Sequence, residues 1–394
     1  MTALEHKPSE QAMLQTAVEM ALATLGRPAA LTVAVNDPQR HTASASILEL
    51  LVRHMPGEAI RLLVACGSHR FLPDEKHAFE HSLRGSMPIR EIAWHDCRSE
   101  NLTPVGHHGW RCHPWLLEDP AVLAIGSVEP HYFAGFTGAH KTVTIGCASY
   151  QDIEANHSSA LSPNCRPVEL ADNPVYEGVA EMLSRLSAVQ NVAAINLVQR
   201  GSTVLAATAG RPLEAMDKAI PVARKAFVQV IDQPLDVLVA QVDGPLGVSF
   251  YQADKGIKNN EWAVRDGGAI ILQAACPKGL GQDQFASLLR KASTYRQALE
   301  FVQSQGYRLG DHKAVRLRHL TDAAGRNVRV YAVSDGLSHD DCQTLGFTKS
   351  PTIEAAMALA SAGMNNPRSM TLPDAGNACL TLAGLTSRDR PSER

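Results

Sequence analysis

Chemically capable side chains are most concentrated in residues 129–141, EPHYFAGFTGAHK, followed by TVTIG at 142–146 and IEANH at 153–157. His131, Lys141 and His157 share this stretch with Gly135, Gly138 and the aromatic residues Tyr132, Phe133 and Phe136. Glycine lets the backbone approach a ligand closely. An apolar, aromatic setting lowers a lysine's pKa, making its amine nucleophilic or ready for covalent attachment. A loop with a solvated Lys141 accounts for the same composition, and on composition alone the two readings are even. Elsewhere His77 and His81 stand four residues apart on a helical pattern. They read as exposed, since a structural zinc wants four ligands. His107, His108 and His113, near Trp110 and Trp115, read either as pocket lining or as a solvated loop.

The elements that must position these residues follow from apolar periodicity. Residues 31–35, LTVAV, form a buried strand ending at the turn Asn36-Asp37-Pro38. Ser46 to Arg53 has helical spacing, Ala59 to Ala65 is a second strand, and Pro73-Asp74-Glu75 suits a helix start. Ala121 to Ile125 is a further strand, and Asn173-Pro174 opens a helix. Asn191 to Leu197 and Thr203 to Ala207 read as paired strands, and Ala215 to Val230 as a helix. Asp236 to Val242 opens a second α/β unit, with strands near 268–272 and 328–333 and helices near 284–303 and 353–362. Alternating strands and helices predict an α/β fold with largely parallel sheets. Ligands then sit beyond the carboxyl ends of the strands. The polar segments 36–41, 67–70 and 129–141 fall there.

The boundary is drawn at 232/233, giving a domain of residues 1–232, a second of 233–380 and a tail of 381–394. Of 394 residues, 37 are Lys or Arg and 40 are Asp or Glu, a formal net charge of −3, which argues against nonspecific nucleic-acid binding. No run of about 18 apolar residues predicts a membrane span. The first 25 residues lack a signal-peptide pattern, and the eight scattered cysteines contain no C-x-x-C pair. Together these predict reduced thiols in a cytoplasm. The G-x-G-x-x-G, P-loop, G-x-S-x-G and H-E-x-x-H fingerprints are missing.

Residues 130–141 resemble the signature Pro-His-Tyr-Phe-Ala-Gly-Phe-Ser-Gly-Gly-x-Lys of the nickel-dependent lactate racemase family. As in that family, His157 lies sixteen residues beyond Lys141. Asp37-Pro-Gln-Arg40 resembles the family's Asp-x-x-Arg loop, Gly67-Ser-His69-Arg70 its Gly-Thr-His-Arg loop, and Tyr251-Gln252-x-x-Lys255 its carboxylate-holding segment. The likeness runs over about residues 28–375. Ala139-His140 stands where Gly-x is usual, Ile145-Gly146 where Pro-Gly is common, and residues 97–116 do not align cleanly.

The resemblance implies two α/β domains with the active site in the cleft between them, the tail packing back on the first. It implies a racemase or epimerase that inverts carbon 2 of a lactate-like 2-hydroxy acid. Hydride would pass to and from a nickel-pincer nucleotide, through a planar 2-keto acid. By the same resemblance Lys141 is the covalent tether and His157 the nickel ligand. Asp37 and Arg40 hold the cofactor, and His69 and His131 are the two general bases. Tyr251, Gln252 and Lys255 hold the substrate carboxylate, with Arg70 a candidate for a second one. Partners would be the small-molecule substrate and the cofactor-making enzymes. Two rival readings are a zinc-dependent lyase built on His69, His131 and His157, and a non-catalytic homologue that binds nucleotide or nickel.

Overall fold

The computed structural model describes residues 9–383, apart from His108, Gln282 and the side chains of Asp283 and Gln284. The chain divides into two compact units. The first comprises Met1–Glu129, Thr137–Ile153 and Tyr176–Ala226, and the second Pro130–Phe136, Glu154–Val175 and Phe227–Arg394. In place of one break at 232/233, the chain passes to the second unit at 130 and 154 and stays there from 227.

The first unit is built on six strands: β1 (Leu31–Asn36), β2 (Ile60–Ala65), β3 (Glu91–Trp94), β4 (Val122–Ser127), β5 (Val192–Arg200) and β6 (Thr203–Gly210). Their order is β6-β5-β4-β1-β2-β3, parallel except for the antiparallel β5–β6 pair. Strands β1, β2 and β4 are almost wholly buried, as a parallel sheet covered on both faces requires. The chain runs outward from β1 to β2 and β3, and from β4 to β5 on the other side. The order therefore reverses between β1 and β4, where an open α/β sheet forms its ligand crevice. Helix Glu10–Thr24, capped by Ser9, turns Leu14, Ala17, Val18, Ala21 and Leu22 inward at spacings of three and four.

The second unit carries β7 (Leu235–Gln241), β8 (Val264–Gln273), β9 (Arg329–Val333), β10 (Thr348–Lys349) and β11 (Ser369–Leu372). These form an all-parallel sheet in the order β10-β9-β8-β7-β11, reversing between β7 and β11. The predicted helix at 284–303 is two helices, Asp283–Lys291 and Tyr295–Gln305. Thr294 caps the second, with Gln297 closing the capping box, so the apolar period restarts there. The helix expected to reach Val230 ends at Phe227, and Val228–Ile231 pairs instead with Cys379–Leu382 in the second unit. Those last residues hold the start of the expected tail; residues 384–394 lie outside the described ones.

All eight cysteines are buried free thiols. Among the described residues no helix is long and apolar enough to cross a membrane.

Candidate active site

The turn after β1 and the loop after β2 place two predicted residues together. Asp37 Oδ1 accepts the amide of Gln39 at 3.0 Å, and Asp37 Oδ2 accepts His69 Nδ1 at 2.7 Å. Asp37 is buried and His69 partly exposed. A carboxylate on Nδ1 fixes the proton there, leaving the lone pair of a neutral ring on Nε2. The dyad is thus an oriented imidazole ready to take a proton through Nε2. Arg40 pairs with Glu129 at 3.2 Å, so the ion pair joins the turn after β1 to the segment after β4. Arg70 is exposed beside His69.

Lys141 sits on a short helix, Ala139–Val143, directly after this crevice. The Ala139 amide donates to Asn196 Oδ1 at 2.8 Å, and Thr142 Oγ1 donates to Asn36 Oδ1 at 2.8 Å. The helix is therefore pinned to β5 and to the end of β1, one residue before Asp37. It lies so close to β4 that a Cβ on Gly126 would meet Ala139 N at 2.5 Å and the Gly138 carbonyl carbon at 2.7 Å. Those atoms are backbone and cannot turn aside. Gly126→Ala is expected to cost about 1–3 kcal/mol by overpacking and to alter the acylation rate of Lys141. Thermal unfolding and labelling with an amine-acylating reagent, mapped by peptide mass, check both effects.

Desolvation, helped by the Arg40 charge, lowers the Lys141 pKa to about 7, so much of its amine is neutral near neutral pH. The preceding His140 is wholly buried, its ring edge-on to Tyr176 at 5.9 Å. Burial first, then the charge of Lys141, pushes its pKa down to about 3. Burial also lowers His95 and His113 to about 4. An unfolded histidine takes up a proton near pH 6.5. Between that pH and 3 or 4 the unfolded state therefore binds more protons, and stability falls as pH falls through the window. Each such group contributes a slope of up to about 1.4 kcal/mol per pH unit. Urea unfolding at pH 7.0, 5.5 and 4.5 should show the decline, and the stability difference between wild type and His140→Gln should narrow toward acid.

In the second unit, Pro130–His131 and Gly135–Phe136 form a small hairpin. Gly135 has φ +71°, and a Cβ there would stand 2.5 Å from Glu169 O, so glycine is required. Asn173 Nδ2 donates to Phe133 O at 3.0 Å and fixes the hairpin tip. The aromatic residues pack inward. Phe133 presents its ring to His131 at 4.5 Å, to His157 at 5.0 Å and to His312 at 5.0 Å. His131 also stacks on Tyr132 at 5.2 Å. His157 lies in the last turn of helix Tyr150–Ser158 and donates from Nδ1 to Asn156 Oδ1 at 3.2 Å. The lone pair of the neutral ring then falls on Nε2, the nitrogen a metal would take, with Asn156 as its orienting partner.

Tyr251 and Gln252 lie in the first turn and Lys255 in the last turn of the helix Phe250–Lys258, which follows β7. Tyr251 and Lys255, four apart, share a face, and Gln252 is buried. Two residues on the helix Asp311–Thr321 join this group and were not foreseen. His312 is buried, and Lys313 Nζ donates to Tyr251 O at 2.6 Å, contacts Asp254 Oδ2 at 3.5 Å and lies 4.3 Å from the Tyr251 ring. The only signal in the sequence is a cluster, Gly310-Asp-His-Lys313, that reads as an exposed turn. That helix is anchored farther along by Arg318, whose guanidinium donates to the carbonyls of Ala292, Leu345, Leu289 and Thr344.

The other histidines divide. His77 and His81 are exposed, as expected, and so is His107, while His108 lies outside the described residues. Trp110 and Trp115 are core residues rather than part of a solvated loop. Among the described residues no three His, Cys, Asp or Glu side chains converge as a metal cage.

The chain is thus a two-domain α/β protein, with side chains suited to proton transfer and amine chemistry beyond strand ends of the first unit, and histidines suited to proton transfer and metal ligation on a hairpin and a helix of the second. Residues 2–166 match the lactate racemase N-terminal domain family and residues 230–379 the lactate racemase C-terminal domain family. These matches span well over half of the chain, and it belongs to the lactate racemase family. It is 27% identical over 365 residues to a lactate racemase of Thermoanaerobacterium thermosaccharolyticum, covering 87% of this chain and 83% of that protein. To a lactate racemase of Lactiplantibacillus plantarum it is 28% identical over 269 residues, covering 65% of this chain and 62% of that one. Its fold is like that of the lactate racemase apoprotein from T. thermosaccharolyticum, with a TM-score of 0.84, 24% identity, and 95% and 93% of the two chains covered. A protein from Thermotoga maritima has a similar fold, with a TM-score of 0.75, 16% identity, and 96% and 100% covered.

Proposed function

We propose that this chain is a racemase or epimerase that inverts carbon 2 of a lactate-like 2-hydroxy acid. The observation that carries the reading is the placement of Lys141, on a helix that Thr142 pins to Asn36, the residue before Asp37 of the Asp37–His69 dyad. Burial lowers the pKa of its amine. Family membership and the names of the relatives support the racemase class.

The residues present fit a nickel-pincer nucleotide tethered through an amide-like bond. A desolvated, partly neutral lysine amine can be acylated, which a solvated ammonium resists. Gly126 and Gly138 leave the backbone beside it bare, and a Cβ on Gly138 would lie 2.9 Å from Met216 Sδ. His157 would give nickel one imidazole nitrogen, a single protein ligand sufficing where the cofactor brings its own donors; a zinc site built from side chains alone needs three or four. Arg40 would hold phosphate through its guanidinium fork, exchanging or sharing its contact with Glu129. When bound, the cofactor supplies a carbon that accepts hydride from carbon 2 and returns it, chemistry no side chain offers.

This chain's own residues do the rest. His69, oriented by Asp37, takes the hydroxyl proton of one enantiomer through Nε2, and His131 gives a proton back to that oxygen as the other enantiomer forms. His131 serves the other enantiomer, its ring held between Tyr132 and Phe133. Lys255, Gln252 and Tyr251 hold the carboxylate; Lys255 attracts it equally before and after oxidation, so it positions the substrate rather than driving the step. Arg70 is a candidate for a second carboxylate. The cofactor-making enzymes are the expected partners, in the cytoplasm.

The test uses protein loaded by co-expression with those enzymes and given enantiopure lactate deuterated at carbon 2. Racemisation with the deuterium retained is expected, because hydride transfer keeps that hydrogen out of solvent. Racemisation with label washed into water would replace hydride transfer by proton abstraction. No change in lactate or in a panel of chiral 2-hydroxy acids, from loaded protein, would remove the racemase reading.

A further inference from the structure

His312 has no part in the mechanism above, yet both of its ring nitrogens are engaged by tyrosine hydroxyls. Its Nε2 lies 3.1 Å from the hydroxyl of Tyr132 and its Nδ1 2.7 Å from the hydroxyl of Tyr307. It is 1% exposed. A neutral imidazole has one N–H and one lone pair. One tyrosine must therefore donate to the ring while the other accepts from it, and each tautomer satisfies both nitrogens. A core histidine kept only for packing needs no such pair of hydroxyls, one buried and one half-buried.

What this bridge fixes is Tyr132. The Tyr132 ring is faced by His131 at 5.2 Å with 18° between planes, and by the cations of Lys313 at 4.9 Å and Arg316 at 5.6 Å. Those contacts locate the plane of the ring but leave its hydroxyl end to be set by something else. His312 sets it. The same ring lies edge-on to Phe133 at 5.0 Å and 6.1 Å from His157, so one imidazole abuts the surroundings of both His131 and His157. Tyr307, five residues earlier in the chain, ties the bridge to its own loop.

We infer that His312 is a positioning residue: bridging the Tyr132 and Tyr307 hydroxyls, it holds the aromatic platform that orients His131, and it braces His157. The inference rests on the reading of His131 as a base. A shift of roughly 1 Å in a reacting group is worth as much as two orders of magnitude in rate. Loosening one hydroxyl of the platform is expected to cost about tenfold in kcat, with KM changed less than about twofold.

The experiment compares wild type with Tyr132→Phe, Tyr307→Phe and His312→Gln. Imidazole 15N resonances of His131 and His157 are recorded at one fixed pH in the full-length, cofactor-free protein. Kinetics are then measured on loaded protein. The expected result is displaced His131 resonances in all three variants, with circular dichroism unchanged. The kcat loss should fall near tenfold, and Tyr132→Phe combined with His312→Gln should lose little more than either alone, since both cut one connection. Unmoved His131 resonances and kcat within twofold of wild type in Tyr132→Phe and Tyr307→Phe would overturn the inference, and these two variants decide it even if His312→Gln fails to fold. His131→Ala separates the two claims. Full racemisation in that variant would remove the base assignment, while the resonances would still report whether His312 orients the ring.

Discussion

Lys141→Ala is expected to yield a folded protein with no covalent adduct and a loss of racemisation of at least about a thousandfold, because no side chain can replace a hydride acceptor. The fold should survive because the helix is anchored by residues other than Lys141. The helix carrying Lys141 is held by the Ala139 amide on Asn196 and by Thr142 on Asn36, neither of which the substitution touches. Stability should rise at neutral pH and below. A lysine whose folded pKa is lowered from 10.5 to about 7 opposes folding below pH 7, and that opposition fades as pH climbs toward 10.5. The same pKa predicts the pH dependence of tethering: the rate at which the amine is acylated should climb with pH and level off above about 7. Intact mass, circular dichroism and urea unfolding of the variant check the three statements. A normal cofactor load in Lys141→Ala would remove the tether assignment.

The second large effect belongs to the Asp37–His69 dyad. His69→Ala is expected to lower kcat by roughly 10²–10⁴-fold, the usual worth of a positioned general base. Asp37→Asn should fold, since the turn needs only an oxygen to accept the Gln39 amide. Its effect on the imidazole is sharper than its size. An Asn amide can donate to Nδ1, which moves the ring proton to Nε2 and removes the lone pair that faces substrate. A kcat loss of roughly tenfold to a hundredfold is expected, with cofactor load retained. Loss of the cofactor in Asp37→Asn, with kcat per loaded site unchanged, would return Asp37 to the role of cofactor ligand that the sequence resemblance implies. Nickel analysis beside kcat on the same sample separates the two roles.

Much of the sheet framework can be read from the sequence because buried parallel strands are continuous apolar runs closed by polar or glycine residues. LTVAV before Asn36 and the run ending at Ala65 are such strands; the second ends where expected and the first one residue later, at Asn36. Less legible is anything set by partners distant in sequence. Asp37 reads as a turn residue, and only the fold shows that its second oxygen takes His69, thirty-two residues away. The helix Asp311–Thr321 was missed because its first turn is Asp-His-Lys, a sequence that looks solvated; every one of those residues is buried against partners from other elements. The two passages of chain into the second unit, at 130 and 154, carry no compositional shift and could not be placed from one sequence. The spacing from His131 through Lys141 to His157 is legible in the sequence because it is a local pattern, read without any knowledge of the fold. The contact of Arg40 with Glu129 is not legible in this way, because it depends on where two strand ends meet.

The most direct measurement is intact-protein mass spectrometry with parallel nickel analysis on wild-type protein co-expressed with the cofactor-making enzymes. The expected result is a covalent adduct mapping to Lys141 and close to one nickel per chain. An unmodified mass without nickel, from cells shown to load another member of the family, would contradict it.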